Sequence, residues 1–448
     1  MKLNPSILLS LSFSIASSLT LSAQAPEART MSQVAIAAER PAGAPKYDDV
    51  SLRYGWIRKN TYPTVEDTKE AIKGFHATRI DWFYTGSHTM QQGATYVTPE
   101  AKAFIDWCHS QNMQVCGTIN NNTTNKDWSY RKHHLTRYVG EVKNPEFREM
   151  VIAWGKAQID AGVDTIVCDD IFKYDDARKQ LWSDLVLTKI KSHKAGFTMA
   201  GNNGHSIGTK YVKHYAVDFH YSDNNFIPTP NQWWQASKEH RALKSAVLIQ
   251  PNRPRTVEQQ RSMIGLGYAT GAHVIVPWDA YIHGGKRLFS DPVDYADLYG
   301  FARALGQIGY LNGYEDAAVG GYDLKENRYG KTVPIVVKGG SGKLSVFGRA
   351  KPGDAKAPLV FHLSESGQAK AATLHLQSAT LFGSGKLKIS LLTPPAYNKT
   401  AHAKASASGD YQSLAEAQPL KFKQEGEALI IKLPPIKPWT VLVITPAE

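Results

Sequence analysis

Between about residues 50 and 312 the chain alternates short apolar runs with amphipathic segments, eight times in succession. Short apolar runs predict buried strands, and an apolar period of 3.6 residues predicts the helices that pack on them. The predicted strands are Leu52–Ile57, Thr78–Tyr84, Gln114–Ile119, Thr165–Cys168, Phe197–Ala200, Tyr215–Tyr221, Ala246–Ile249 and His273–Pro277. Eight such units predict a closed (β/α)8 barrel of the TIM type, which takes about 250 residues. An open doubly wound sheet is disfavoured, because no glycine fingerprint follows the first run.

Several predicted helices begin with capping signals, in which a side-chain oxygen meets the free amides of the first turn. These signals are Thr64 with Asp67, Thr98 before Pro99, Asn144 before Pro145, and Thr256 with Gln259. A long polar stretch over residues 120–143 has no such signal and is predicted to be a loop.

From about residue 317 the helical period disappears, and short Val/Ile/Leu runs recur between Gly, Ser, Pro and Lys. The predicted strands there are Thr332–Val337, Leu344–Phe347, Leu359–Leu363, Leu374–Leu376, Leu387–Leu392, Leu429–Leu433 and Val441–Ile444. This spacing predicts a smaller antiparallel β-sandwich. The fold class is therefore α/β, with a barrel over 47–316 followed by a sandwich over 317–448.

The first 46 residues differ from the rest. Residues 1–25 have the features of a secretory signal: Lys2, an apolar stretch over Ile7–Leu21 and the small-residue site Ala23-Gln24-Ala25. Residues 26–46 are rich in Ala, Pro and charge and predict a linker without structure. No later stretch is long and apolar enough to span a bilayer. We therefore expect a periplasmic or secreted protein with no integral membrane segment.

The cysteines and the charge limit the kinds of partner. Three Cys are too few for a disulfide scaffold, and no metal-type spacing joins them, so we expect three buried thiols and no cofactor. The chain has 52 Lys and Arg against 40 Asp and Glu, a net charge of +12. From residue 321 onward the counts are 17 and 9, which gives +8. The basic excess thus belongs mainly to the predicted sandwich and predicts contact with an anionic matrix or envelope.

In an eightfold barrel the functional residues lie at the carboxyl ends of the strands. Asp, Asn and aromatic residues recur after the predicted strands, where amides and carboxylates bond hydroxyl groups and indole faces stack on sugar rings. The predicted substrate-binding residues are Asp170, Asp279, Trp56, Trp82, Asn120, Asn202, His220, Arg253, Trp278 and Tyr281. Trp128, Trp233 and Trp234 lie near the same rim in sequence, whereas the helical Trp107, Trp154 and Trp182 are expected in the core. No glycine-rich loop opens a helix, which disfavours phosphate ligands and nucleic acid.

The strongest candidate for chemistry is the fourth strand, which runs directly into Asp169 and Asp170. Because side chains alternate along a strand, only one of the two is expected to face the substrate. The competing interpretation is a helix cap or a lysine partner. Glycoside hydrolysis needs a second carboxylate, since one group attacks or activates water and the other protonates the leaving oxygen.

No Glu follows a predicted strand, so the second carboxylate must be an Asp. The candidates are Asp81, Asp218, Asp223 and Asp279, and Asp223 is preferred because it follows the sixth strand. Asp223 also fits a turn. Asp81 is equally well explained by a buried ion pair with Arg79 or Arg53.

The segment from Asp164 to Asp170 resembles the nucleophile strand of retaining barrel glycosidases in the clan of α-galactosidases and α-glucosidases, and of several uncharacterised glycosyl-hydrolase-like families. The tail over Leu429–Ile444 resembles the last hairpin of the sandwich that follows such barrels. The resemblance implies that Asp169 is the nucleophile and that Asp223 is the acid/base. It implies a secreted glycoside hydrolase acting on a poly- or oligosaccharide, neutral or anionic. Two alternatives stay open: a non-catalytic glycan-binding protein, and a polysaccharide lyase with Tyr221 or His220 as base.

Overall fold

The computed structural model of the protein describes residues 30–37, 45–53, 65–87, 89–133, 137–169, 174–202, 214–219, 229–235, 247–251, 256–276, 292–324, 334–377, 386–436 and 438–446. Eight parallel strands close into a barrel in which neighbours follow the order of the chain. They are β1 (Ser51–Arg53), β2 (Arg79–Phe83), β3 (Gln114–Asn120), β7 (Thr165–Asp169), β8 (Thr198–Asn202), β9 (His214–Phe219), β10 (Val247–Pro251) and β11 (His273–Val276). Each of the eight predicted strands has its counterpart here, and the predicted barrel is confirmed.

The strand labels β4–β6 belong to a small antiparallel sheet between β3 and the next helix. It consists of β4 (Asn122–Thr123), β5 (Ser129–His133) and β6 (Arg137–Gly140), in the order β4-β6-β5. The prediction of a loop over residues 120–143 is therefore wrong. The two longer strands are mostly polar and charged, so they lack the apolar alternation by which a strand is recognised in a sequence.

The helices lie between the strands and begin largely where the capping signals predict. They are α1 (Met31–Val34), α2 (Val65–Gly74), α3 (Pro99–Ser110), α4 (Pro145–Asp160), α5 (Asp176–Trp182), α6 (Thr188–Lys191), α7 (Val257–Ala269), α8 (Ala296–Ile308) and α9 (Lys399–Ser408), and residues 230–235 are also helical. A π-helical turn joins α5 to α6.

Three of the predicted caps are in place. Thr98 accepts the amide of Ala101 at 3.1 Å, and Asn144 accepts that of Phe147 at 3.0 Å. Thr256 accepts the amide of Gln259 at 3.2 Å. The fourth signal begins at Thr64, which lies outside the described residues.

The C-terminal part forms two antiparallel sheets packed face to face, which confirms the predicted sandwich. The six-stranded sheet contains β12 (Glu315–Gly321), β14 (Leu344–Ala350), β15 (Leu359–Glu365), β17 (Leu387–Thr393), β18 (Glu416–Pro419) and β21 (Trp439–Pro446). The four-stranded sheet contains β13 (Ile335–Gly339), β16 (Ala372–Gln377), β19 (Phe422–Glu425) and β20 (Ala428–Leu433). Strands β12, β18 and β19 and helix α9 were not predicted, because few of their residues are large and apolar.

The six-stranded sheet lies between the barrel and the four-stranded sheet. Val360 and Val443 on one face join the core of the barrel, while Phe361 and Leu442 on the other face pack against the four-stranded sheet. The outer face of the four-stranded sheet is thus the side of the sandwich remote from the barrel.

The contact between sandwich and barrel is built around Trp439. Its ring stacks on Tyr268 of α7 with centroids 4.8 Å apart, and its Nε1 donates to His362 Nδ1 at 3.1 Å. The buried guanidinium of Arg349 donates to the carbonyls of Tyr268 and Ala269 at 3.2 and 2.7 Å. These carbonyls belong to the last turn of α7, where free acceptors and the negative end of the helix dipole favour a cation.

The segment predicted as an unstructured linker differs from that prediction in one place. The short helix α1 lies within it, and Met31 is fully buried in the core of the sandwich. Burial of this long apolar side chain contributes to the ordering of the segment. The first strand of the sandwich, β12, begins at Glu315, close to the predicted boundary at residue 317.

The three cysteines are buried free thiols, as predicted. Burial raises the pKa of Cys108 and of Cys116, so neither is an activated thiolate. Among the described residues no helix is long and apolar enough to cross a membrane.

Candidate functional site

Polar residues end three neighbouring strands at the carboxyl rim of the barrel. Asn120 is the last residue of β3 and is paired in register with Asp169, the last residue of β7. Asn202 is the last residue of the next strand, β8, whose Gly201 is paired with Cys168. The rim therefore brings together an amide, a carboxyl residue and a second amide on adjacent strands.

An apolar layer from five of the eight strands lies in the barrel interior below this rim. It consists of five residues that are each at most 1% exposed: Trp82, Cys116, Val167, Ala200 and Ile275. Alternate residues of a strand share a face. Position 169 therefore lies on the same face of β7 as Val167, and position 202 on the same face of β8 as Ala200, in each case two residues nearer the rim. This layer makes an apolar floor under the rim positions.

Trp82 reaches the interior through an irregular backbone. Its φ is +52°, and the register between β2 and β3 shifts between Ile80 and Phe83. A bulge inserts one residue and re-aims the side chains beside it, and a positive φ is rare for a bulky residue. The predicted role of Trp82 in substrate binding thus corresponds to a buried ring in the floor, not to an exposed stacking platform.

Asp81 is part of a buried ion pair, which was one of the two interpretations of this residue from the sequence. Arg79 Nε donates to both carboxylate oxygens at 3.0 and 3.1 Å, and the two side chains are at most 2% exposed. Burial opposes the charge of Arg79, but the adjacent carboxylate outweighs it and raises the pKa of the guanidinium. Arg79 also donates to Gln114 Oε1 at 3.1 Å. Asp81 is therefore engaged deep in the barrel and is a poor candidate for the acid.

Asn120, Asn121 and Asn122, which run from the end of β3 into β4, are buried and turn the chain. The Asn120 side-chain oxygen accepts the amide of Asn122 at 2.8 Å, a turn that asparagine favours. The carbonyl of Asn121 accepts the amide of Gly140 at 2.8 Å, which ties the small sheet to the rim. The side-chain oxygen of Asn120 is thus already engaged in this turn. A direct contact between Asn120 and a substrate stays a prediction.

An aromatic wall joins the small sheet to the chain that follows Asp169. Tyr174 donates its hydroxyl to the carbonyl of Gly140 at 2.8 Å and stacks on both Tyr130 and Trp182 at 5.6 Å. The guanidinium of Arg178 lies 4.1 Å from the Tyr130 ring centroid. Sequence reasoning missed this wall, although the density of aromatic residues near 128–138 and at 174 was a usable signal.

Three tryptophans near the rim in sequence prove to be core residues. Trp233 and Trp234 are fully buried, and Trp128 is buried with its Nε1 donating to Glu146 Oε2 at 3.0 Å. The expectation that Trp154 and Trp182 lie in the core is confirmed, while Trp107 is half-buried on α3.

Most of the other predicted site residues lie outside the described residues. These are Trp56, Asp170, His220, Asp223, Arg253, Trp278, Asp279 and Tyr281. For Asp169 and Asn202 the backbone position alone is described. Within the described part of the chain, no group of three or more His, Cys, Asp or Glu residues is arranged to hold a metal ion.

Comparison with known proteins shows the fold. No protein-family model matches the chain, and no curated protein sequence matches it either. Among solved structures, the α-amylase of Geobacillus thermoleovorans in complex with acarbose is 11% identical and has a TM-score of 0.57, over 90% of this chain and 100% of that one. An Anoxybacillus α-amylase is 12% identical at a TM-score of 0.57, over 90% and 99%.

A third similar structure is α-L-fucosidase isoenzyme 2 from Paenibacillus thiaminolyticus, 10% identical at a TM-score of 0.54, over 90% of this chain and 100% of that one. In all three pairs the similarity spans barrel and sandwich together. It confirms the predicted architecture of a barrel followed by a sandwich, and at such identities it says nothing of individual residues.

Proposed function

We propose that this protein is an exported glycoside hydrolase that cleaves a glycosidic bond in a poly- or oligosaccharide, with Asp169 as nucleophile and Asp223 as acid/base. The observation that carries the proposal is the placement of Asp169. It ends β7 at the carboxyl rim, in register with Asn120 and above the apolar floor. In this fold, residues at the carboxyl ends of strands carry the chemistry.

The rim supplies what a carboxylate nucleophile needs. The floor that includes Trp82, Val167 and Ala200 is apolar, and an electrostatic interaction beside an apolar surface is stronger than in bulk water. The amides of the neighbouring strand ends suit the hydroxyl groups of a sugar. The aromatic wall holds the segment that follows Asp169 at Tyr174.

The reaction has two steps in the retaining form. The Asp169 carboxylate attacks the anomeric carbon while Asp223 gives its proton to the leaving oxygen, which forms a covalent glycosyl-enzyme. Asp223 then takes a proton from water, and the water releases the sugar from Asp169. Retention requires the two carboxyl groups about 5–5.5 Å apart, and a separation of about 6.5–9.5 Å would give inversion.

The similar structures support the carbohydrate class. Their names are those of α-amylases and an α-L-fucosidase, and one holds acarbose. Enzymes of one fold perform many reactions, so we take from them only the class of substrate. Export is supported by the signal features of residues 1–25.

The test is a screen of purified protein on neutral, uronic and sulfated polysaccharides, with release of reducing ends as readout. Asp169→Asn and Asp223→Asn are each expected to lower kcat by at least about 10²-fold on the substrate that is cleaved. Asp106→Asn is the matched control, because it removes an exposed carboxylate on the helix α3, remote from the rim. NMR of the first product anomer decides between retention and inversion.

Three outcomes would contradict the proposal. Unchanged hydrolysis in both variants would exclude the Asp169/Asp223 pair. Products with a new ultraviolet absorbance from an unsaturated uronate would identify a lyase. Binding of a glycan without release of reducing ends would identify a glycan-binding protein.

A further inference from the structure

The hairpin formed by β5 and β6 has an unusual charge. Residues 129–140 contain Arg131, Lys132 and Arg137 and no Asp or Glu. Arg131 and Lys132 are exposed, and Arg137 is half-buried. Arg137 is paired in register with His133, so Arg131 and Arg137 lie on one face of the hairpin and Lys132 on the other. Like charges on one face repel each other unless an anion lies between them.

The hairpin is fixed at the rim of the candidate site. Its strand β6 pairs with β4, which begins two residues after the end of β3. Gly140, the last residue of β6, accepts the hydroxyl of Tyr174, five residues beyond Asp169. The cationic hairpin thus shares its anchor with the segment that follows the proposed nucleophile.

Three acids near the base of the hairpin already have partners. Glu141 and Asp175 both pair with Arg178, the former at 3.2 Å. Glu146 accepts the indole N–H of Trp128. Within the described chain, neither Lys132 nor Arg137 forms a salt bridge with an acid. Lys132 is therefore an exposed cation, and Arg137 a half-buried one, that no acid of the described residues neutralises.

We propose that the β5–β6 hairpin binds the carboxylate or sulfate groups of an anionic glycan whose chain enters the barrel rim. This rests on the proposed function, since it names the substrate class of the same site. Arginine presents a planar fork that matches a carboxylate or sulfate, and lysine adds a mobile charge. Tyr130 supports the arrangement, because its ring lies 5.3 Å from the guanidinium carbon of Arg131.

A second basic surface offers the control. Lys338, Lys423 and Lys432 are exposed on the four-stranded sheet, on the face remote from the barrel. The triple variants R131Q/K132Q/R137Q and K338Q/K423Q/K432Q remove equal charge from the two surfaces. Both are made in an Asp169→Asn background, so that binding is measured without turnover.

Binding is measured by calorimetry with two matched pairs of probes: dextran sulfate against dextran, and polygalacturonate against its methyl ester. The hairpin triple variant is expected to bind dextran sulfate, polygalacturonate or both at least about tenfold more weakly, a loss of about 1.4 kcal/mol. The sheet variant is expected to bind within about twofold of the parent. The two anionic probes separate sulfate from carboxylate recognition. R131K/K132R/R137K keeps the charge but loses two arginine forks, so it is expected to bind the anionic probes more tightly than the glutamine variant and more weakly than the parent.

Equal weakening by both triple variants, weakening by the sheet variant alone, or no preference for the anionic probes would overturn the inference. These outcomes are distinguishable from failure of the proposed function. If anionic probes bind at the hairpin but the wild-type protein cleaves no glycan, the inference stands and the hydrolase proposal fails. If the protein cleaves neutral glycans and the hairpin variant changes nothing, the reverse holds.

Discussion

At the scale of single residues, the barrel interior depends on two side chains of β2 that the sequence places side by side. Asp81 and Trp82 are consecutive, and yet one joins the buried ion pair and the other the apolar floor, both inside the barrel. Strict alternation would send one of them outward. The positive φ of Trp82 makes both positions possible. Residue types alone do not reveal such a bulge, so the sequence predicted Trp82 at the site but not its place in the floor.

The ion pair of Asp81 gives the first prediction. Asp81→Asn leaves Arg79 buried and charged, and this is expected to lower the free energy of unfolding by about 3–5 kcal/mol. Asp106→Asn, which breaks an exposed pair on α3, is expected to cost at most about 1 kcal/mol. Urea unfolding at pH 7 measures both. A double variant R79M/D81L is expected to regain most of the loss, and a mild effect of D81N alone would contradict the structural role of the pair.

The floor gives the second prediction. Trp82→Ala removes a fully buried ring and is expected to cost about 3–5 kcal/mol of unfolding free energy through the cavity it leaves. Trp107→Ala on α3 is the control, because Trp107 is half-buried and its loss opens no closed cavity. If thermal unfolding showed equal losses in the two variants, the ring would not be a packed part of the barrel interior.

At the scale of elements, capped helices and apolar strands were predictable and polar strands were not. The caps of Thr98, Asn144 and Thr256 depend on local chemistry, which a sequence states directly. The small sheet β4-β6-β5 depends on pairing between polar segments and on anchors such as Tyr174, which are distant in sequence. Helix α9 was not predicted either. Only His402 and Ala405 of that helix are buried, so its sequence lacks the apolar face that indicates a helix.

The anchor of the small sheet gives the third prediction. Tyr174→Phe removes the hydroxyl that satisfies the Gly140 carbonyl and is expected to cost about 1–3 kcal/mol locally. Hydrogen exchange of the amides over residues 129–140 should accelerate, because the hairpin loses its tie to the chain after Asp169. Tyr322→Phe, at an exposed tyrosine of the sandwich, should leave these amides unchanged. Equal exchange rates in Tyr174→Phe and wild type would show that stacking alone holds the hairpin.

At the scale of the whole molecule, the sandwich is attached to the barrel by buried histidines as well as by Trp439. His76 lies just after α2 of the barrel and His402 on α9, and their Nε2 and Nδ1 atoms are 2.7 Å apart. His362 of β15 contacts Trp439 and Arg349. A bond between two imidazoles needs one donor and one acceptor, so it requires at least one ring to be neutral and is lost when both are protonated. The union of the two parts is therefore coupled to protonation.

This coupling predicts loss of stability in acid. Burial lowers the pKa of His76 to about 3, and the nearby His402 and Arg303 add to this shift. Burial also lowers the pKa of His402, although Asp297 opposes the shift. The pKa of His362 is lowered by burial and by Arg349. In the pH range between these lowered pKa values and about 6.5, the unfolded chain binds protons that the folded protein does not. The free energy of unfolding therefore decreases as the pH falls, by up to about 1.4 kcal/mol per pH unit for each histidine. Urea unfolding at a series of pH values from neutral to mildly acidic is expected to show this slope. In the double variant H76Q/H402Q the slope should be shallower, whereas His375→Gln on the outer sheet should leave it as in the wild type. A slope unaffected by H76Q/H402Q would mean that this contact does not sense protons.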